Sequence, residues 1–231
     1  MQQAKAPPSA AQAELEKLQT EMRQRQQALF KGLDKLKESD QEKAYASISA
    51  KLFGEFWPKY QKLIKTSTGG VQVRARMAAM QVAQMGPKPA LGEQLIADII
   101  RENRDLPEAA NVAMQLRYDN FDPGKRAKLK AQLTALGKSK NTTVQAAVLY
   151  ALAEVTKDSD AKAAVPLYKQ VIAKYAETSY AKQAKGAIFE AENLQVGMMA
   201  PEITGPDHEG NTFKLSEYKG KVVVLDFWGF W

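Results

Sequence analysis

From Ala11 to Leu194 the apolar residues recur at spacings of three and four, and no alternating, strand-like pattern appears before residue 200. Spacing of that kind puts the apolar side chains on one face of a helix. In the first segment, Ala11 to Lys37, the face is Leu15, Leu18, Met22, Leu29, Leu33 and Leu36, set among Gln, Glu, Lys and Arg. Those polar types are good helix formers. Ser39-Asp40 interrupts the pattern and is suited to cap a second helix. That helix carries Tyr45, Ile48, Leu52, Phe53, Phe56, Trp57, Tyr60 and Ile64, and Pro58 is expected to bend or divide it.

Glycine and proline punctuate the remainder of the helical region. A loop at Thr66–Gly70 precedes helices expected at 71–85, 90–103, 107–118, 125–136, 143–155, 161–175 and 178–194. Pro107 stands at a first helical position, where its missing N–H is not needed. Short connections between helices of this length predict stacked antiparallel hairpins, an α-solenoid-like domain over 11–193. The Pro/Ala/Gln-rich residues 1–10 read as a disordered tail. Residues 164–181 resemble the second helix of a tetratricopeptide repeat and its link to the next. Ala164, Ala181 and Ala184 there would let helices approach, with Tyr168 and Tyr175 filling the gaps. The cluster Phe53, Phe56, Trp57 and Tyr60 reads as core.

Composition narrows the chemistry. The chain has 231 residues, no cysteine, one histidine (His208) and a net charge of +7. Without cysteine there is no disulfide, no Cys-ligated zinc and no thiol catalysis within these residues. One histidine argues against a His-built metal site or a Ser–His dyad, and His208 reads as a solvated turn residue. No cofactor or metal is expected. Segment 194–231 holds three lysines against five acids, net −2, which leaves +9 on the remainder. An anion-binding role would need those cations gathered on one face. They are interleaved with acids, so a solvated surface is the reading and no nucleic-acid partner is expected. No apolar stretch has the roughly 20 residues of a membrane span, and no signal peptide is evident. Gln2–Ala10 has the texture of the start of a mature exported protein, which suggests a periplasmic location.

After Leu194 the texture changes. Ile203–Gly205 and Thr212–Lys214 are expected to pair across a turn at Asp207-His208-Glu209-Gly210, with Gly210 at positive φ. Leu215–Tyr218 reads as a helical turn capped by Ser216. Val222–Leu225 has no polar interruption, as in a central strand buried on both faces. The order of Val196-Gly197, Ala200-Pro201-Glu202, Asp207, Gly210, Phe213, Leu215-Ser216, Tyr218-Lys219-Gly220-Lys221 and Val222-Val223-Val224-Leu225-Asp226-Phe227-Trp228 resembles the redoxin branch of the thioredoxin superfamily. That branch includes the TlpA/ResA-like thiol–disulfide oxidoreductases and the AhpC/TSA peroxiredoxins, and "DFWGFW" favours the former.

The resemblance implies that 194–231 is the opening of a thioredoxin-like α/β domain, an incomplete fragment that stops just before the Cys-x-x-Cys motif. By the same resemblance Asp226 matches the buried proton-relaying carboxylate, Trp228 and Gly229 the floor of the site, and Trp231 the aromatic before the first cysteine. The catalytic cysteines themselves have no counterpart among these residues. The implied function is a fragment of a thiol–disulfide oxidoreductase whose helical module binds a protein partner or disulfide substrate. The alternative is a non-catalytic helical interaction scaffold.

Overall fold

A computed structural model describes residues 8–118 and 123–229. It is mainly α-helical, with a small two-stranded sheet near the C-terminus. The helices are α1 (Ala10–Phe30), α2 (Glu38–Thr66), α3 (Gly69–Met85), α4 (Ala90–Glu102), α5 (Ala110–Tyr118), α6 (Arg126–Leu136), α7 (Thr142–Lys157), α8 (Ala161–Lys174) and α9 (Ser179–Asn193). Side-chain oxygens cap the N-termini of α1, α7, α8 and α9. Ser9, Asn141, Asp160 and Thr178 each accept an N–H of the first turn, which satisfies donors that the helix itself leaves unpaired. Ser9 therefore belongs to the first helix, not to a tail; residues 1–7 lie outside the described residues.

Two expectations near the start need correction. The first helix stops at Phe30, because Gly32 takes φ +85° and turns the chain into a short 3-10 stretch, Leu33–Lys35. Glycine alone adopts that conformation without strain. Leu33 and Leu36 thus leave the helical face that their spacing predicted. The second helix is one continuous helix through Pro58 and starts at Glu38. Asp40 sits in its first turn, where a negative charge suits the helix N-terminus, instead of capping it. Proline crowds the carbonyl four residues back. That residue is Gly54, which carries no side chain to add to the crowding. The buried face Leu52, Phe56, Tyr60 and Leu63 then outweighs one lost hydrogen bond.

Most helices pack against their neighbours in sequence. α3 lies against α1, α2 and α4, and α7 against α5, α6, α8 and α9. These two are the most enclosed helices, and both are rich in small residues. Ala75, Ala78, Ala79 and Ala83 are buried on α3, and Ala146, Ala147, Ala151 and Ala153 on α7. Small side chains on several faces allow neighbours to approach on several sides. Ala164, Ala181 and Ala184 are buried as expected, with Tyr168 enclosed between them and α7. One continuous apolar cluster runs from Leu15 to Ala187. No described residue beyond Ile188 contributes to it or packs against it.

Lys and Arg on the stack meet acids from neighbouring helices. Arg25 pairs with Glu55 at 3.1 Å, Arg74 with Glu108 at 3.1 Å, Lys128 with Glu93 at 2.5 Å and Lys157 with Glu190 at 2.9 Å. Such exposed pairs contribute little stability, but they disperse the basic excess. Among the described residues, no helix is long and apolar enough to cross a membrane.

Candidate functional site

The C-terminal segment is built from local hydrogen bonds. β1 (Thr204–Pro206) pairs antiparallel with β2 (Thr212–Lys214), Gly205 opposite Phe213. The strands are those expected to pair across the turn, displaced by one residue at the first. The turn between them is organised by Asp207. Its carboxylate accepts the backbone N–H of Asn211 at 2.8 Å and of Glu209 at 2.9 Å. Gly210 takes φ +88°, as a turn of this kind requires. The Asn211 N–H, followed by its side-chain amide, holds the Asp207 carboxyl below its ordinary range. His208 projects into solvent on this turn, 3.7 Å from Glu209.

A second carboxylate ties the hairpin to the next element. Glu202 is held below its usual range by the Ser216 hydroxyl and then the Ser216 N–H, which approaches to 3.1 Å. Ser216 is therefore a donor to Glu202 and does not cap the 3-10 turn Leu215–Tyr218, whose N-cap position is Lys214. The geometry carries a pH prediction. A depressed carboxyl contributes stability above its unfolded pKa and loses it as pH falls through the folded value. On acidification the 207–211 turn should persist below the pH at which a free aspartate protonates, then loosen. The amide shifts of Glu209 and Asn211 report this, and Asp207→Ala should abolish the transition.

Beyond Lys221 the structure departs from the expected central strand. Val222 to Gly229 forms no helix, strand, turn or bend. Its exposures alternate: Val222 98%, Val223 42%, Val224 87%, Leu225 49%. That period of two is the signature of an extended segment, but only one face has neighbours. Val223 and Leu225 line an apolar cleft of ≈ 470 Å³ with Met199, Pro201, Leu215 and Tyr218. Asp226 is exposed instead of buried, Trp228 is 73% exposed and Gly229 is half-buried; Trp231 lies outside the described residues. Local sequence makes the segment extended, whereas burying it requires further layers.

The helical stack holds two polar clusters that sequence reading did not single out. In the first, Glu154 on α7 accepts the Tyr168 hydroxyl at 2.6 Å and pairs with Arg117 of α5 at 3.3 Å. The Tyr150 ring lies 5.8 Å from Tyr168 and 5.9 Å from Tyr180. Burial, then Glu154, pushes the Tyr150 phenol up to about 12, and the same causes raise Tyr168 further. These phenols stay protonated at neutral pH, so they serve as hydrogen-bond anchors and not as bases. In the second, Arg76 on α3 is buried and donates to Asn103 and Glu102 and to the Asp98 carbonyl at 3.4 Å. Hydrogen bonding from Arg101, then Arg76, holds the Glu102 carboxyl below its ordinary range. The usable signal for Arg76 was its position among the apolar residues Val73, Ala75, Met77 and Ala78 of α3. The aromatic cluster on α2 is core as expected, with Phe56 and Tyr60 buried and Phe53 stacked on Trp57 at 5.5 Å.

The hairpin, the 3-10 turn and the extended apolar run leading to Asp226-Phe227-Trp228 are the features that comparison with known proteins can place. Residues 196–231 match the AhpC/TSA family. The chain is also similar to the thiol-disulfide oxidoreductase ResA of Bacillus cereus, 40% identical over 47 residues, covering 20% of this chain and 27% of that protein. The ResA of Geobacillus kaustophilus is 43% identical over 42 residues, covering 18% of this chain and 24% of the relative. The chain thus spans about a quarter of the length of the curated relatives it matches. No solved structure matches the chain. The redoxin segment is thioredoxin-like in sequence.

Proposed function

We propose that this chain joins a helical protein-interaction module, residues 11–193, to the opening of a thioredoxin-like thiol–disulfide oxidoreductase domain, residues 194–231. The observation that carries the reading is the match of 196–231 to AhpC/TSA and ResA proteins, on a segment that folds as hairpin, turn and apolar run. In a whole redoxin domain, disulfide exchange runs through attack of a thiolate on a substrate disulfide, which forms a mixed disulfide and expels a thiolate. Asp226 would be the nearby proton carrier, and Trp228, Gly229 and Trp231 would flank the site. The 231 residues contain no cysteine, so they supply the scaffold and not the nucleophile. The stack, with its dispersed charges, is read as holding a protein partner or disulfide substrate, and no nucleic acid. The texture of Gln2–Ala10 supports residence outside the cytoplasm.

A chimera tests the redoxin reading. Residues 196–231 should replace the corresponding segment of Geobacillus kaustophilus ResA and leave a folded protein that reduces insulin disulfides. An unfolded chimera would sink the reading. The 231-residue chain by itself should reduce insulin no faster than reductant alone, and turnover above that control would contradict the account of its chemistry.

A further inference from the structure

One cleft belongs wholly to the first three helices. α1 lends it Gln19, Arg23 and Gln26, α3 lends Ala78 and Gln81, and Tyr60 of α2 lies at its floor. Tyr60 is 1% exposed, and its hydroxyl has no hydrogen-bond partner among the described residues. The described polar atoms sealed from solvent without a partner are on Ser49, Arg76 and Arg126. The Tyr60 oxygen is not one of them, so its sliver of exposure is at the hydroxyl, which opens on the cleft. A nearly desolvated hydroxyl left without a partner is costly, and in a native protein it calls for an explanation. Arg23, on the exposed rim, has neither ion pair nor hydrogen bond among the described residues, whereas Arg25 pairs with Glu55. No Asp or Glu lines the cleft. We propose that this cleft binds a carboxylate, which accepts from the Arg23 guanidinium and the Tyr60 hydroxyl.

The chemistry of the lining selects that group. Burial pushes the Tyr60 phenol up to about 12, so at neutral pH it holds its proton and is a donor at the floor. A guanidinium only donates, and its planar fork matches the two oxygens of a carboxylate. The deep end of the ligand must therefore be an acceptor. Arg23 is the cation of the lining, and it balances one negative charge. A phosphate group carries about 1.5–2 charges at neutral pH and would meet no second cation here. The cleft volume, ≈ 220 Å³, is below the roughly 300–1,000 Å³ of a drug-sized site, and it suits one acidic side chain or a small free acid. Gln19 and Gln81 have no side-chain hydrogen bond among the described residues, and Gln26 donates only to Met85 Sδ at 3.9 Å. Their amides are left to meet whatever carries the carboxylate.

The test titrates the full chain with two carriers of one group, followed by the Gln side-chain amides and the Arg23 Nε–H in NMR. Propionate is the free acid, and acetyl-Ala-Glu-Ala-amide presents the same group on a peptide. Both should bind saturably, and propionamide and the Gln peptide should not. Tighter binding of the peptide would assign the site to an acidic side chain of a partner, and equal or tighter binding of propionate to a free acid; either supports the proposal. Arg23→Gln should weaken binding at least about tenfold, the effect of losing a charged hydrogen bond, with an unchanged melt because Arg23 is exposed. Tyr60→Phe should weaken it several-fold and leave the melt unchanged or raised, since the hydroxyl it removes bonds to nothing in the protein. The proposal is overturned if neither carboxylate binds saturably, if the neutral analogues bind equally, or if inorganic phosphate binds more tightly than both acids. Binding untouched by Arg23→Gln, or a clearly lower melt for Tyr60→Phe, would overturn it as well.

Discussion

Phe56→Ala should destabilise the helical stack by about 3–5 kcal/mol, the range for deleting a fully enclosed aromatic ring. Phe56 has no exposed surface and belongs to the same continuous cluster as Leu52, Tyr60 and Val73. Its neighbours come from packed helices, so collapse into the vacated space would disturb several contacts at once. Thermal unfolding followed by circular dichroism should show the midpoint falling by roughly 6–20 °C for a domain of this size. A shift within the error of the parent melt would mean that α2 is not part of the core.

The second large effect is expected at Arg76. Its guanidinium reaches Asn103, Glu102 and the Asp98 carbonyl at once, and Asn103 in turn donates to Gln72 at 3.4 Å. Gln72 donates to the Ile64 and Ser67 carbonyls at the end of α2. This network joins α2, α3 and α4 where their backbone ends need partners. Arg76→Ala leaves those acceptors unsatisfied and opens a void, for an expected loss of about 2–4 kcal/mol, less than a fully buried pair because Glu102 is partly exposed. Arg76→Lys should recover little, since one ammonium cannot reproduce the planar fork. Chemical denaturation of both variants decides it. If lysine restored the parent stability, the geometry of the network would be irrelevant.

The helical part of the fold was legible because its signals are local. Apolar spacing gave each helix, and Gly86, Gly137 and Pro107 marked ends and starts that the structure places within a few residues. The end of α1 was not legible, because Leu33 and Leu36 continue the apolar spacing and only the backbone at Gly32 shows the turn. Pro58 misled for a related reason. A proline penalty is local, whereas the burial of Leu52, Phe56, Tyr60 and Leu63 that offsets it is tertiary. The hairpin around Asp207 was readable from turn chemistry. The buried strand was not, because Val222–Leu225 determines an extended conformation but not what covers it. The Arg76 and Glu154 clusters depend on which helices meet, which spacing within one helix does not reveal.

Modularity is the central claim, and one comparison tests it most directly. No described residue of 194–229 belongs to the apolar cluster of the stack, and the hairpin packs chiefly on its own 3-10 turn. A chain ending at Asn193 should therefore show the same cooperative helical melt, at the same midpoint, as the full chain. A broad melt or a clearly lower midpoint for the shortened chain would show that the redoxin segment is part of the helical core and contradict the account.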